Sequence, residues 1–119
     1  MKEGKNAVLE KSFGFALKII VFVELLEGNK KYVIARQLLK SGTSIGANIR
    51  EAQAAESLSD FIHKMKIAAK EADETEYWLL LCQKSENYPD PNELLSELNQ
   101  INKLLSSIIS HSKAKLAQC

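Results

Sequence analysis

Four segments with helical apolar spacing follow one another along the chain, separated by three short polar breaks. The first, residues 13–26, reads FGFALKIIVFVELL, and only Gly14, Lys18 and Glu24 in it are not apolar. Phe13, Leu17, Ile20 and Glu24 follow one helical face, while Phe15, Ile19, Phe22 and Leu26 follow another. β-branched residues are common here, but strands rarely run past about ten residues, so length predicts a helix. A helix apolar on most of its circumference must be covered on more than one side. Its own bundle covers one side, and a partner subunit is expected on the other. The helix is predicted over about 5–27, with Gly28 or Asn29 free to take the left-handed conformation of a helix stop.

A second helix is expected over about 31–55, with Ile34, Leu38, Ile45, Ile49 and Ala52 on one face. Gly42 and Gly46 share a face one turn apart, and each costs a helix interior about 1 kcal/mol relative to alanine. A notch that lets a neighbouring backbone approach explains why that cost is tolerated; a break in the helix is the alternative. The third helix, about 58–86, opens with Ser57 and Asp60 as a capping pair and buries Phe61, Met65, Ala68, Ala72, Leu79 and Cys82. Residues 87–91, Asn-Tyr-Pro-Asp-Pro, form the clearest turn. Asp90 is placed as N-cap of the fourth helix, about 91–116, with Pro91 at its first position and Glu93 completing a capping box. Leu94, Leu98, Ile101, Leu105 and Ile108 then repeat at four, three, four, three, the spacing of a bundle seam. The prediction is all-α: a single up-down-up-down four-helix bundle spanning 1–119.

Composition agrees: 119 residues, 45% apolar and 26% charged, suit one globular domain with its own core. The two cysteines, Cys82 and Cys119, make neither a metal-ligand pattern nor a disulfide framework. Lys18 and Glu24 interrupt the first apolar run, which is too short and too charged to span a membrane, and no small-residue cleavage site follows it. The chain is therefore read as cytoplasmic, without membrane association.

Candidate chemistry is sparse. A di-metal bundle site needs carboxylates plus two Glu-x-x-His pairs. Asp60 precedes His63 at that spacing, but Ile108 precedes His111. Residues 40–44, Lys-Ser-Gly-Thr-Ser, lack the order of a phosphate loop and follow no strand. No Ser or Cys nucleophile has a histidine at a readable spacing. No catalytic residue, cofactor or metal is implied. Asn48 and Glu51 on the second helix are expected to face Glu71 and Glu74 on the third as a structural polar cluster.

Charge is uneven although the net value is +1. Residues 1–50 carry nine Lys/Arg and four acids, 51–100 carry four and eleven, and 101–119 carry three and none. Folded up and down, one end collects Lys2, Lys5, Lys11, Arg50, Lys64, Lys66, Lys113 and Lys115, with Glu3, Glu10, Glu51, Glu56 and Asp60 among them. The other end collects Glu24, Glu27, Glu86, Asp90, Glu93 and Glu97. A basic end of this kind holds nucleic acid through phosphates without reading sequence. An ordinary solvated surface is the alternative.

The block Ser41-x-x-Ser44-Ile45-Gly46-Ala47-Asn48-Ile49-x-Glu51-Ala52 resembles the signature of bacterial four-helix-bundle proteins encoded in intervening sequences of large-subunit ribosomal RNA genes. Phe61 through Lys64, then Ala69-x-Glu71-x-x-Glu74-Thr75-x-Tyr77-Trp78-Leu79, is similar to that family's second block. The resemblance covers about residues 13–109 and extends to accessory proteins of diversity-generating retroelements. It implies a ring-like homopentamer, and for the retroelement relatives it implies binding to nucleic acid and a reverse transcriptase. Family members often carry two basic residues before the first block; here they are Leu39 and Lys40. Three functional readings follow, the first two being a non-enzymatic oligomeric bundle associated with RNA or DNA through its basic end, and a protein-interaction scaffold without nucleic acid. An enzyme or metal protein is the third.

Overall fold

A computed structural model describes residues 2–118, and the side chains of residues 7–118. It places helices α1 at Lys2–Gly28, α2 at Tyr32–Ala52, α3 at Leu58–Lys84 and α4 at Asn92–Ala117. Each packs on its two neighbours in a closed square: α1 on α2 and α4, and α3 on α2 and α4, with α1 and α3 on a diagonal. The result is an up-down-up-down rod of 52 × 20 × 20 Å. No helix among the described residues is long and apolar enough to cross a membrane.

The core is built as the apolar spacing predicts. On α1 the face of Phe15, Ile19, Phe22 and Leu26 is buried, whereas Phe13, Leu17 and Ile20 remain on the surface. All five seam residues of α4 are buried, as are Phe61, Met65, Ala68, Ala72, Leu79 and Cys82 of α3. Burial pushes the Cys82 thiol up to about 11, because the thiolate would lose its water. Between α1 and α4, Lys18 Nζ donates to Glu97 at 2.6 Å and to Glu93 at 2.9 Å. Those two carboxylates, Glu97 first, push the lysine up to about 12.

The helix ends depart from expectation in instructive ways. Helix α1 closes with Lys30 N–H on Glu27 O at 2.9 Å and Lys31 N–H on Leu26 O at 2.8 Å. That is a Schellman closure, and it puts the left-handed residue at Lys30, φ 63°, rather than at Gly28 or Asn29. Lys31 then lies over the Tyr88 ring at 4.9 Å, tying this turn to the α3–α4 connection. Helix α2 ends at Ala52, three residues short of the predicted end, and its last carbonyls are taken by turn-type bonds from Gln53, Ala54 and Ala55. At the start of α3, Ser57 Oγ accepts from Asp60 N–H at 3.0 Å as predicted, and Asp60 Oδ2 accepts in return from Glu56 N–H at 3.3 Å. Helix α4 begins one residue later than expected, with Pro91 at the cap position. Asp90 Oδ1 still accepts from Asn92 N–H at 2.9 Å, but no capping box forms, because Glu93 reaches across to Lys18.

Candidate functional site

The glycine notch faces α1. A methyl group on Gly42 would come within 2.9 Å of Ile19 Cγ1 and Cγ2, and one on Gly46 within 3.3 Å of the Ser12 carbonyl oxygen. Helix α2 is unbroken across both glycines. The two helices pack closely there, and beside the contact runs an outward-facing groove of about 510 Å³. Leu9, Phe13, Ala16 and Ala47 line it, with Glu10 and Arg50 as its charged members.

The outer face of α1 continues that apolar surface. Phe13 is 63% exposed, Leu17 52%, Val21 58% and Leu25 53%, with Ile20 beside them. On the diagonal helix, Tyr77 and Leu81 of α3 are also exposed. Tyr77 meets Trp78 edge to face at 5.2 Å, and the indole N–H of Trp78 donates to Glu74 at 3.4 Å.

The expected polar cluster does not assemble as one network. Asn48 donates to the carbonyl of Ser44 on its own helix at 2.8 Å, and Glu51 takes Lys64 at 3.3 Å. Glu74 is held by Trp78, and Glu71 is half-buried. The cause is register: α2 and α3 pack so that Lys64, not Glu71 or Glu74, stands opposite Glu51. The buried polar link between these helices is instead Ser41 with Thr75, whose hydroxyls are hydrogen-bonded at 3.0 Å. Thr75 also bonds the Glu71 carbonyl at 2.7 Å.

Of the eight cationic candidates, Lys2 and Lys5 have side chains outside the described residues. Lys11 sits on the α4 side of α1 and donates to Gln100 at 3.1 Å. Arg50 belongs to the α1–α2 groove, and Lys64 is committed to Glu51. Lys115 is exposed on the last turn of α4. Lys66 and Lys113 come together. They line a groove of about 350 Å³ between the start of α3 and the end of α4, joined by Ser59, Ile62, His63 and Leu116. Charge distribution and up-down topology place the two lysines at one end among eight cations; they do not reveal that His63 and Ser59 stand beside them. Lys66 trails Ser59 by two helical turns and His63 by three residues, so all three share one α3 face, a signal present in the spacing. Among the described residues no group of three His, Cys, Asp or Glu is placed to hold a metal ion.

A family model described as 23S rRNA-intervening sequence protein matches residues 4–107. The chain is also similar to a solved structure from Bacteroides thetaiotaomicron, a protein of unknown function from the S23 ribosomal protein family. Identity is 46% with a TM-score of 0.85, over 90% of this chain and 98% of the other. No curated protein matches the chain.

Proposed function

This chain belongs to the 23S rRNA intervening sequence protein family, and from that premise we propose a non-enzymatic bundle that self-associates and holds RNA through its basic end. The observation that carries the reading is the outer face of α1. Five large apolar side chains, Phe13, Leu17, Ile20, Val21 and Leu25, stand exposed along one helix. Fully burying a side chain of this size stabilises by about 1.5–3 kcal/mol, and covering the roughly half of each that is exposed still favours a partner subunit over the stripe.

The patch on α3, Tyr77 and Leu81, lies on the diagonal helix and differs in composition. Two unlike faces on opposite sides favour a head-to-tail contact, which forms a ring when the rotation between subunits closes and a filament when it does not. Five is the subunit number that the family resemblance supplies. A ring repeats the basic end in every subunit, which multiplies the field and gives avidity to contacts that are individually weak.

Light scattering on the purified chain reads the first half of the proposal: a mass of several subunits is expected, and a mass equal to one chain sinks it. Retention on RNA at moderate salt reads the second. Binding absent at low salt, or unchanged at high salt, removes the electrostatic account. The same measurement on DNA separates a general phosphate contact from one restricted to RNA.

A protein scaffold without nucleic acid is the second reading, favoured by the exposed Tyr77 beside the half-buried Trp78. It predicts a stoichiometric partner whose capture survives nuclease treatment.

A further inference from the structure

We infer that the groove between the start of α3 and the end of α4 is the seat of a phosphodiester of single-stranded RNA; this rests on the RNA reading above and names where the strand is held. Several cations on this bundle are already engaged. Lys18 holds two carboxylates, Lys64 holds Glu51, and Lys11 donates to Gln100. Lys66 and Lys113 have no such partner among the described residues, and they share one concavity. Two ammonium groups on adjacent antiparallel helices, with no carboxylate between them, make a place where an anion gains energy from both.

The other lining residues extend the match. Ser59 contributes a hydroxyl and His63 a ring N–H, both able to donate to a phosphate or ribose oxygen. Ile62, nearly buried, and Leu116, half on the surface, give the groove an apolar floor beside its cations. That floor decides between strand types. A duplex keeps its base faces stacked inside and offers mainly phosphates and 2′-hydroxyls, which a flat lysine patch serves equally well. An unpaired strand can lay a ribose or base edge on Ile62 and Leu116 while its phosphate sits between Lys66 and Lys113.

The test uses the full chain and a fluorescein-labelled single-stranded RNA, read by anisotropy over a salt series. The Lys66→Gln/Lys113→Gln variant is expected to bind at least tenfold more weakly. Its log–log salt slope should fall by about 0.7, the loss of one single-strand phosphate contact. A control with two exposed lysines changed elsewhere, Lys40→Gln/Lys84→Gln, should stay within about twofold of the parent. All four side chains are exposed, and far-ultraviolet circular dichroism should show the variants folded. Equal losses in both double variants would mean diffuse attraction and overturn the site while leaving RNA association intact. Parental affinity in the Lys66/Lys113 variant would do the same. A duplex of the same sequence binding as tightly as the single strand would overturn the strand assignment. A parent chain that binds no RNA at low salt would remove the reading on which the site rests.

Discussion

Two glycines on one helix face do different work. At Gly42 the neighbour is the branched stem of Ile19, fully buried and unable to swing away, and an added methyl would sit 2.9 Å from two of its carbons. Overpacking of this kind costs about 1–3 kcal/mol, more than the roughly 1 kcal/mol that alanine returns in helix propensity. At Gly46 the contact is a carbonyl oxygen at 3.3 Å, which a small shift relieves. Chemical denaturation should therefore show Gly42→Ala destabilised and Gly46→Ala near neutral; the reverse order would mean that Ser12, not Ile19, limits the approach of α1. Cys82 offers a second residue-scale reading. Its folded pKa lies above the ordinary thiol value of 9.0, at about 11, so the buried thiol adds stability below pH 9 that is lost as pH rises toward 11. In a Cys119→Ser background, Cys82 should label with a thiol reagent at pH 8 only as fast as the chain unfolds. Rapid labelling in the folded state would show the thiol to be accessible.

Helix ends are decided by which hydrogen bonds close, and sequence propensity alone ranked them differently. Propensity favours Gly28 or Asn29 as the left-handed stop, yet the closure on Leu26 and Glu27 puts that conformation on Lys30. A non-glycine residue there carries a left-handed penalty of about 1 kcal/mol. Lys30→Gly should raise stability by about 0.5–1 kcal/mol in urea melts, reduced by the extra freedom glycine gives the unfolded chain. A loss would show that the Lys30 side chain contributes a contact that outweighs the strain. The same contrast explains what was legible in the chain. The α4 seam and the two faces of α1 follow from spacing within a single helix, and both lie where the pattern puts them. Asn48, Glu51, Glu71 and Glu74 did not, because which residues stand opposite depends on how two helices slide to pack their cores. The grouping of Lys66 with Lys113 was partly legible, since topology alone brings their helix ends together. The groove between them, with His63 and Ser59, needed the packed surfaces.

At the scale of the molecule, the bundle is closed around its core and still has apolar surface left over. The stripe from Phe13 to Leu25 covers the face of α1 that neither α2 nor α4 reaches. Leu17→Lys with Val21→Lys places two charges in the middle of that stripe without touching the core. Light scattering should then report a single-chain mass with helical content retained; an unchanged oligomer mass would mean that the contact lies on another face. Within the rod, the Ser41–Thr75 pair acts as an alignment pin. A slide of α2 along α3 by one turn moves Ser41 by about 5.4 Å, out of reach of Thr75, and strands a buried hydroxyl at a cost of about 1–3 kcal/mol. Leucine and isoleucine seams tolerate such a slide far better, since one apolar contact replaces another. Two small hydroxyls thus select one alignment of α2 against α3 from several that the apolar residues alone would accept, and they fix which surface residues end up as neighbours.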